Sequence, residues 1–165
     1  MGGDLMIYTT VDSPIGELLL LGDGDVLHGL HMQDGLRPTR IRSDWVRDDD
    51  AFADVREQLA EYFAGDRTQF DIKLHMEGGA FHRTVWHALT QIPYGETISY
   101  GELARRIGQP DKARAVGTAN GANPIAVIVP CHRVIGANGK LVGYGGGLDN
   151  KRRLLELESG ITALL

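Results

Sequence analysis

Cysteine is almost missing from this 165-residue chain: Cys131 is its only one. A single thiol excludes an internal disulfide and any cysteine-rich zinc site, and a reducing, cytoplasmic setting is the simplest expectation. Long apolar runs are missing too. None approaches the roughly 20 residues needed to cross a bilayer, so no membrane role is expected. The opening MGGDLMIYTTVDSPIG has no basic stretch followed by an apolar one, so no secretory leader is expected. It also lacks the Ser or Thr at position 6 of a myristoylation signal. There are no internal repeats and no low-complexity segments. The length suffices to bury a core unaided, as one medium domain or two small ones sharing an interface.

The formal net charge of −5 is unevenly placed. Residues 1–79 hold 7 Lys/Arg against 16 Asp/Glu, giving −9; residues 80–165 hold 10 against 6, giving +4; together they recover −5. Screening confines charge effects to about 8–10 Å, so a basic half can meet a polyanion despite the acidic total. Four excess charges are equally compatible with an ordinary solvated surface. Both readings stand at this point.

The first third reads as strands: LMIYTTVD, GELLLLG and VLHGLHM, separated by the turn-rich SPI and GDGD. A charged segment, RPTRIRSDWVRDDD, leads to a helix with Phe52, Val55, Leu59 and Phe63 on one stripe. GDRTQFDIKL then reads as a turn and one more strand. No catalytic cluster is evident in this half, and His28 and His31, in a predicted strand, are expected to be structural or surface residues. From residue 80 the pattern turns helical. Phe81, Val85, Leu89 and Ile92 recur at helical spacing up to Pro93-Tyr94-Gly95, and SYGELARRIG opens with Ser99 and Glu102 spaced as a capping box. After GQP, DKARAVGTANGA resumes the helical pattern, so two short helices around a turn form a helix-turn-helix candidate.

Two helices carry oddities. On a wheel of residues 113–122, Ala113, Gly117 and Gly121 fall together, flanked by Arg114 and Thr118, while Ala115, Val116, Ala119 and Ala122 are on the side that can face a core. Each helical Gly costs roughly 1 kcal/mol against Ala, and close approach of another backbone is the usual reason for it. That backbone belongs either to DNA or to a neighbouring helix. The face lacks the Asn, Gln and Arg set of a major-groove reader; a shape-tolerant, minor-groove contact fits better. In LDNKRRLLELESG, Leu154 and Leu155 define the expected buried face and Glu158 falls between them, with Glu156 outside. A carboxylate there needs a hydrogen-bond partner or a shifted pKa. Arginines could supply it, or the histidine beside the lone thiol, His132, which a carboxylate would orient.

Cys131 itself follows Pro130, which biases Val129 toward extended backbone and removes a donor. The chain therefore leaves an apolar run and turns at the thiol. Free thiols have a pKa of about 8.5, and a basic imidazole nearby would raise the thiolate fraction. Adjacent side chains do not normally face each other, so a bridging water is the expected link between Cys131 and His132. A buried, inert cysteine is the competing reading.

IPYGETISYGELA, ARAVGTANGANP, IVPCHRVIGANGKLVGYGGG and KRRLLELE, in this order and spacing, resemble the O6-alkylguanine-DNA alkyltransferases, also called methylated-DNA–protein-cysteine methyltransferases. The match is strongest from Phe81 to Glu158. The resemblance implies an α+β chain: a small N-terminal α/β, ribonuclease H-like domain (1–79) and a C-terminal helical, winged helix-turn-helix-like domain (80–165). It implies single-turnover DNA repair without a cofactor. Cys131 would take the alkyl group from O6-alkylguanine, or O4-alkylthymine, flipped out of duplex DNA through the minor groove. The implied partner is double-stranded DNA containing O6-alkylguanine, met by a monomer that could bind cooperatively.

By the same resemblance, His132 deprotonates Cys131 through a water, Glu158 orients His132, and Asn123 organises the turn and its hydrogen bonds. Tyr100 bonds guanine N3, although it also heads an apolar stripe. Arg114 is the finger that replaces the flipped base, on the DNA-contacting helix that carries Ala113, Ala115, Gly117 and Thr118. The carbonyls of Cys131 and Val134 and the amide of Gly145 read the guanine edge, and Tyr144 and Gly145–Gly147 wall the pocket. Relatives that bind zinc do so through cysteines this chain lacks, so no metal is expected. Gly145 replaces a Ser and Ala126 a Pro of some relatives, which bears on tolerance for bulky adducts. Two other classes compete: a helix-turn-helix binding module with a structural cysteine, and a thiol hydrolase using Cys131, His132 and Glu158.

Overall fold

The structure is a computed structural model that describes residues 5–160. Four strands form the first sheet: β1 (Ile7–Val11), β2 (Leu18–Gly22), β3 (Leu27–Met32) and the short β4 (Val46–Arg47). They are ordered β3-β2-β1-β4, with β1, β2 and β3 antiparallel neighbours and β4 parallel to β1. Side chains alternate between sheet faces, and in β2 both faces are covered, because Leu18, Leu19, Leu20 and Leu21 are all buried. Leu18 and Leu20 join the main core with Val55, Leu59, Tyr62 and Phe63 of α1 (Ala53–Phe63). The expected stripe on this helix is therefore present, widened by a fully buried tyrosine.

The second half supplies α2 (Ala80–Leu89), β5 (Ile98–Ser99), α3 (Tyr100–Arg106), α4 (Ala113–Gly121), β6 (Val134–Ile135) and α5 (Leu148–Ser159). The chain is thus α+β, with a sheet in its first half and helices in its second. Ser99 caps α3, its Oγ accepting from the Glu102 amide at 3.0 Å. The Glu102 carboxylate turns instead to Arg105 and Arg106, so one half of the capping box forms. A connector containing a 3-10 turn (Pro110–Lys112) joins α3 to α4, as the helix-turn-helix spacing predicts. β5 and β6 pair in parallel.

The expected strand near residues 65–74 is replaced by a single bridge between Leu27 and Leu74. The side chain of Gln58 explains this: its Nε2 donates to Asp71 O and its Oε1 accepts from Asp71 N, which satisfies that backbone without a neighbouring strand. Conversely, β4 lies in the charged segment, where two exposed residues carry no apolar alternation.

One junction positions the site. The outer edge of β3 holds the segment leading to Cys131: Leu30 N donates to Pro124 O at 2.9 Å and Ala126 N to Leu30 O at 3.1 Å. Leu30 and its bridge partner Ile125 are both fully buried, and one apolar cluster runs through both halves. Among the described residues no helix is long and apolar enough to cross a membrane. Truncating Leu30 to Ala should lower stability by about 2–5 kcal/mol. In urea unfolding followed by fluorescence, both halves should still melt in one transition at a lower midpoint.

Candidate active site

Backbone geometry sets the thiol. The chain reaches it through Val127, a β-branched residue at φ 70° with a fully buried side chain. Such a backbone persists only where its surroundings over-determine it. Asn123 supplies part of that constraint: its Nδ2 donates to Val129 O at 2.8 Å and its Oδ1 accepts from Ile125 N at 3.0 Å. Pro130, at φ −82° and ψ 64°, then turns the chain so that Cys131 N donates to Val129 O at 2.8 Å, an inverse γ-turn. Residues 131–133 follow as one 3-10 turn.

Cys131 is 6 % exposed, and it lines a cavity of about 390 Å³ together with Tyr100, Gly117, Asn123, Tyr144 and Gly145. Burial pushes its thiol pKa up, against the smaller pull of Asn123 and the Lys151 charge. The sequence suggests a thiol loosened by a neighbouring imidazole; in the resting fold it stays protonated. Its removal of a proton must therefore be coupled to a base.

A buried imidazole follows the thiol in the chain. His132 is fully buried, and its Nε2 lies 2.7 Å from Glu158 Oε2. Arg133 makes a fork onto the same carboxylate, Nε to Oε1 at 2.7 Å and Nη2 to Oε2 at 3.0 Å, while its Nη1 donates to Ile92 O at 2.6 Å. Tyr62 OH adds a fourth bond, to Oε2 at 2.5 Å. Burial pushes the Glu158 carboxyl up, but His132 and Arg133 more than reverse it, to about 2. Burial lowers the His132 pKa despite the carboxylate beside it. A neutral imidazole facing a carboxylate carries its proton on Nε2, which leaves the lone pair on Nδ1. Nδ1 is buried and meets no protein partner among the described residues. The charge that keeps Glu158 ionised is therefore that of Arg133, and His132 contributes a neutral N–H.

Glu158 thus falls on the buried face of α5, as its wheel predicts. That face is rotated from the expected one: Leu154, Leu157 and Lys151 are buried, Leu155 and Glu156 only half-buried. Lys151 is a site residue that patterning misses, because a lysine reads as surface. Its Nζ donates to Val134 O at 2.7 Å and Val142 O at 2.9 Å. Val134 itself is fully buried, with its carbonyl on this ammonium. Tyr100 OH lies 3.3 Å from the same Val142 O, and burial, then the neighbouring Cys131, raise its pKa. Tyr144 is pushed well up by burial and then by the neighbouring Cys131, and its buried hydroxyl makes no hydrogen bond of good geometry among the described residues.

On α4, Gly117 sits over the Tyr100 ring, where an added Cβ would be 3.6 Å from it. Of the small face, Gly117 and Gly121 line the cavity. Arg114, Ala115 and Thr118 are exposed and Ala113 is half-buried. Ala115 and Ala122, placed toward the core by the wheel, face outward; Val116, Ala119 and Asn120 are the buried set. Asn120 Nδ2 bonds Cys131 O at 3.4 Å.

The first half also reaches the cavity, through His31, Met32, Leu36 and Arg37. His31 is therefore more than a strand residue, whereas His28 pairs with Asp23 and stacks on His75. Leu36 N donates to Gly145 O at 2.9 Å. A Cβ on Gly35 would be 2.8 Å from that oxygen, and one on Gly146 would strike Met32 Sδ. Among the described residues no group of three or more His, Cys, Asp or Glu could hold a metal ion.

Known proteins resemble this chain over most of its length. Residues 6–76 match the model of the 6-O-methylguanine DNA methyltransferase, ribonuclease-like domain, and residues 80–160 that of the 6-O-methylguanine DNA methyltransferase, DNA binding domain. A methylated-DNA--protein-cysteine methyltransferase of Mycolicibacterium paratuberculosis is 60% identical over 92% of this chain and 91% of its own length. One from Methanosarcina acetivorans is 52% identical over 93% and 98%. The crystal structure of Mycobacterium tuberculosis OGT in complex with DNA superposes with a TM-score of 0.89 at 56% identity, covering 94% of each chain.

Glu158 yields a prediction with a defined sign. Its carboxyl pKa is depressed by folding, so it contributes stability that is full above the unfolded value of about 4.3. That contribution is lost as pH falls through the folded value of about 2. Glu158→Gln leaves Arg133 buried without its counter-charge and should cost about 3–5 kcal/mol at neutral pH. The gap to wild type should shrink below pH about 4.3 in urea unfolding measured across the acid range.

Proposed function

We propose, from the chain's membership in the 6-O-methylguanine DNA methyltransferase family, that it repairs DNA by transferring the O6-alkyl group of guanine to its own Cys131. The observation that carries this reading is the lone thiol on the wall of a cavity of about 390 Å³, followed in the chain by a buried imidazole whose Nε2 faces Glu158 and whose Nδ1 has no partner among the described residues. O4-alkylthymine is a second substrate of the same chemistry. Residues 1–79 act as the supporting domain and 80–165 as the domain that binds double-stranded DNA. The protein works as a monomer in the cytoplasm, with cooperative binding along the duplex open to it.

The reaction is an in-line displacement at carbon. His132 Nδ1 takes the Cys131 proton through a bridging water as sulfur attacks the alkyl carbon. The S–C bond forms and the C–O6 bond breaks. Tyr100, kept protonated by its raised pKa, turns from Val142 O and delivers a proton to guanine N3, so the base leaves neutral. His132 returns its proton to the phenolate through solvent. The balance replaces S–H and C–O by S–C and a guanine N–H. A thioether does not revert, so each molecule acts once.

Exposed Arg114, on α4 with Ala113, Ala115, Gly117 and Thr118, enters the stack where the flipped base was. The Cys131 and Val134 carbonyls and the Gly145 amide bind the guanine edge under Tyr144. The Val134 carbonyl has a second lone pair for this beyond the one held by Lys151.

Incubation with methylated duplex DNA should add one methyl to the intact protein, on Cys131, and stop at one equivalent. Binding without mass change would favour a non-enzymatic binding module, and continued turnover a thiol hydrolase. Cys131→Ser should abolish transfer and retain lesion binding. Arg114→Ala should slow repair of duplexes more than reaction with the free alkylated base; equal loss on both would exclude a flipping finger.

A further inference from the structure

We infer that Tyr62, on α1 of the sheet-bearing half, is a positioning residue for alkyl transfer: its phenol fixes the Glu158 carboxylate that in turn sets the imidazole of His132. The inference rests on the acceptor role proposed for Cys131. Tyr62 is fully buried, and its OH donates to Glu158 Oε2, the same oxygen that faces His132 Nε2. Its ring is wedged among Phe63 and Phe70, with centroids 5.3 Å away, and Tyr94 at 6.2 Å. The hydroxyl therefore cannot swing away without disturbing that cluster. Burial, then the Glu158 charge, keep the phenol protonated, so it always donates.

The consequence concerns proton affinity. Oε2 accepts from Tyr62, His132 and Arg133. Each donor spreads the carboxylate charge, and each therefore weakens the pull of Glu158 on the His132 proton. Without the phenol, Oε2 would bind the imidazole N–H more strongly and favour the imidazolium. The other groups around the carboxylate are accounted for: Arg133 is paired in a fork, Tyr94 lies under the Arg133 guanidinium, and Tyr144 and Lys151 face Cys131. Of the donors other than His132 itself, the phenol is the one that can be deleted without changing a formal charge at Glu158.

Tyr62→Phe keeps the ring and removes the bond. The rate of Cys131 alkylation by iodoacetamide, without DNA, is measured against pH for both proteins and checked against thermal unfolding. The limb controlled by His132 should move up by about half to one pH unit in the variant, and methyl transfer from duplex DNA should show the same displacement. A uniform loss of rate with an unmoved midpoint, or superimposable profiles, would overturn the inference. Failure of the wild type to accept a methyl group would instead overturn the repair reading, because the iodoacetamide profile does not depend on DNA.

Discussion

A carboxylate removed from water needs as many donors as its oxygens can take, and Glu158 obtains four hydrogen bonds from three residues, two on the turn after Pro130 and one on α1. Arg133 brings the balancing charge, Tyr62 a neutral donor from the first half, and His132 the group whose orientation matters chemically. The turn after Pro130, helix α5 and helix α1 can satisfy this ion only in one relative placement. Removing the charge would loosen three elements at once, so the setting of His132 and the stability of the fold depend on the same group.

One cause shifts the proton affinities of Cys131 and His132 in opposite directions. Burial disfavours both the thiolate of Cys131 and the imidazolium of His132. The resting pair is a neutral thiol and a neutral imidazole. The left-handed Val127 and the γ-turn at Pro130 hold the thiol at the cavity wall.

Local pattern carried much of this. The three long strands, the stripe of α1, the Ser99 cap and the inward turn of Glu158 all follow from periods and cap chemistry visible in single segments. Pairing Glu158 with His132 was legible because a carboxylate on an apolar face demands a partner. Tyr62 and Lys151 were not, for opposite reasons: a buried tyrosine in a stripe reads as core, and a lysine in a charged helix reads as surface. The Tyr62 bond to Glu158 spans 96 residues, and Lys151 reaches carbonyls 17 and 9 residues back that no helical spacing announces. Ala115 was misplaced because α4 is short and small-sided, so a wheel leaves its rotation poorly determined. The Gln58 side chain replaced a strand that apolar alternation near Phe70 and Ile72 suggested.

Gly35 has no side chain because the loop after β3 lies against the backbone of Gly145 and Gly146, and Gly146 has none because the Met32 sulfur and the Tyr144 ring lie against it. That seam ties the evolution of one half to the other. A chimera joining this sheet to the helices of a distant cousin would inherit mismatched neighbours at the seam. Its cavity would be misshapen even with every reacting group retained.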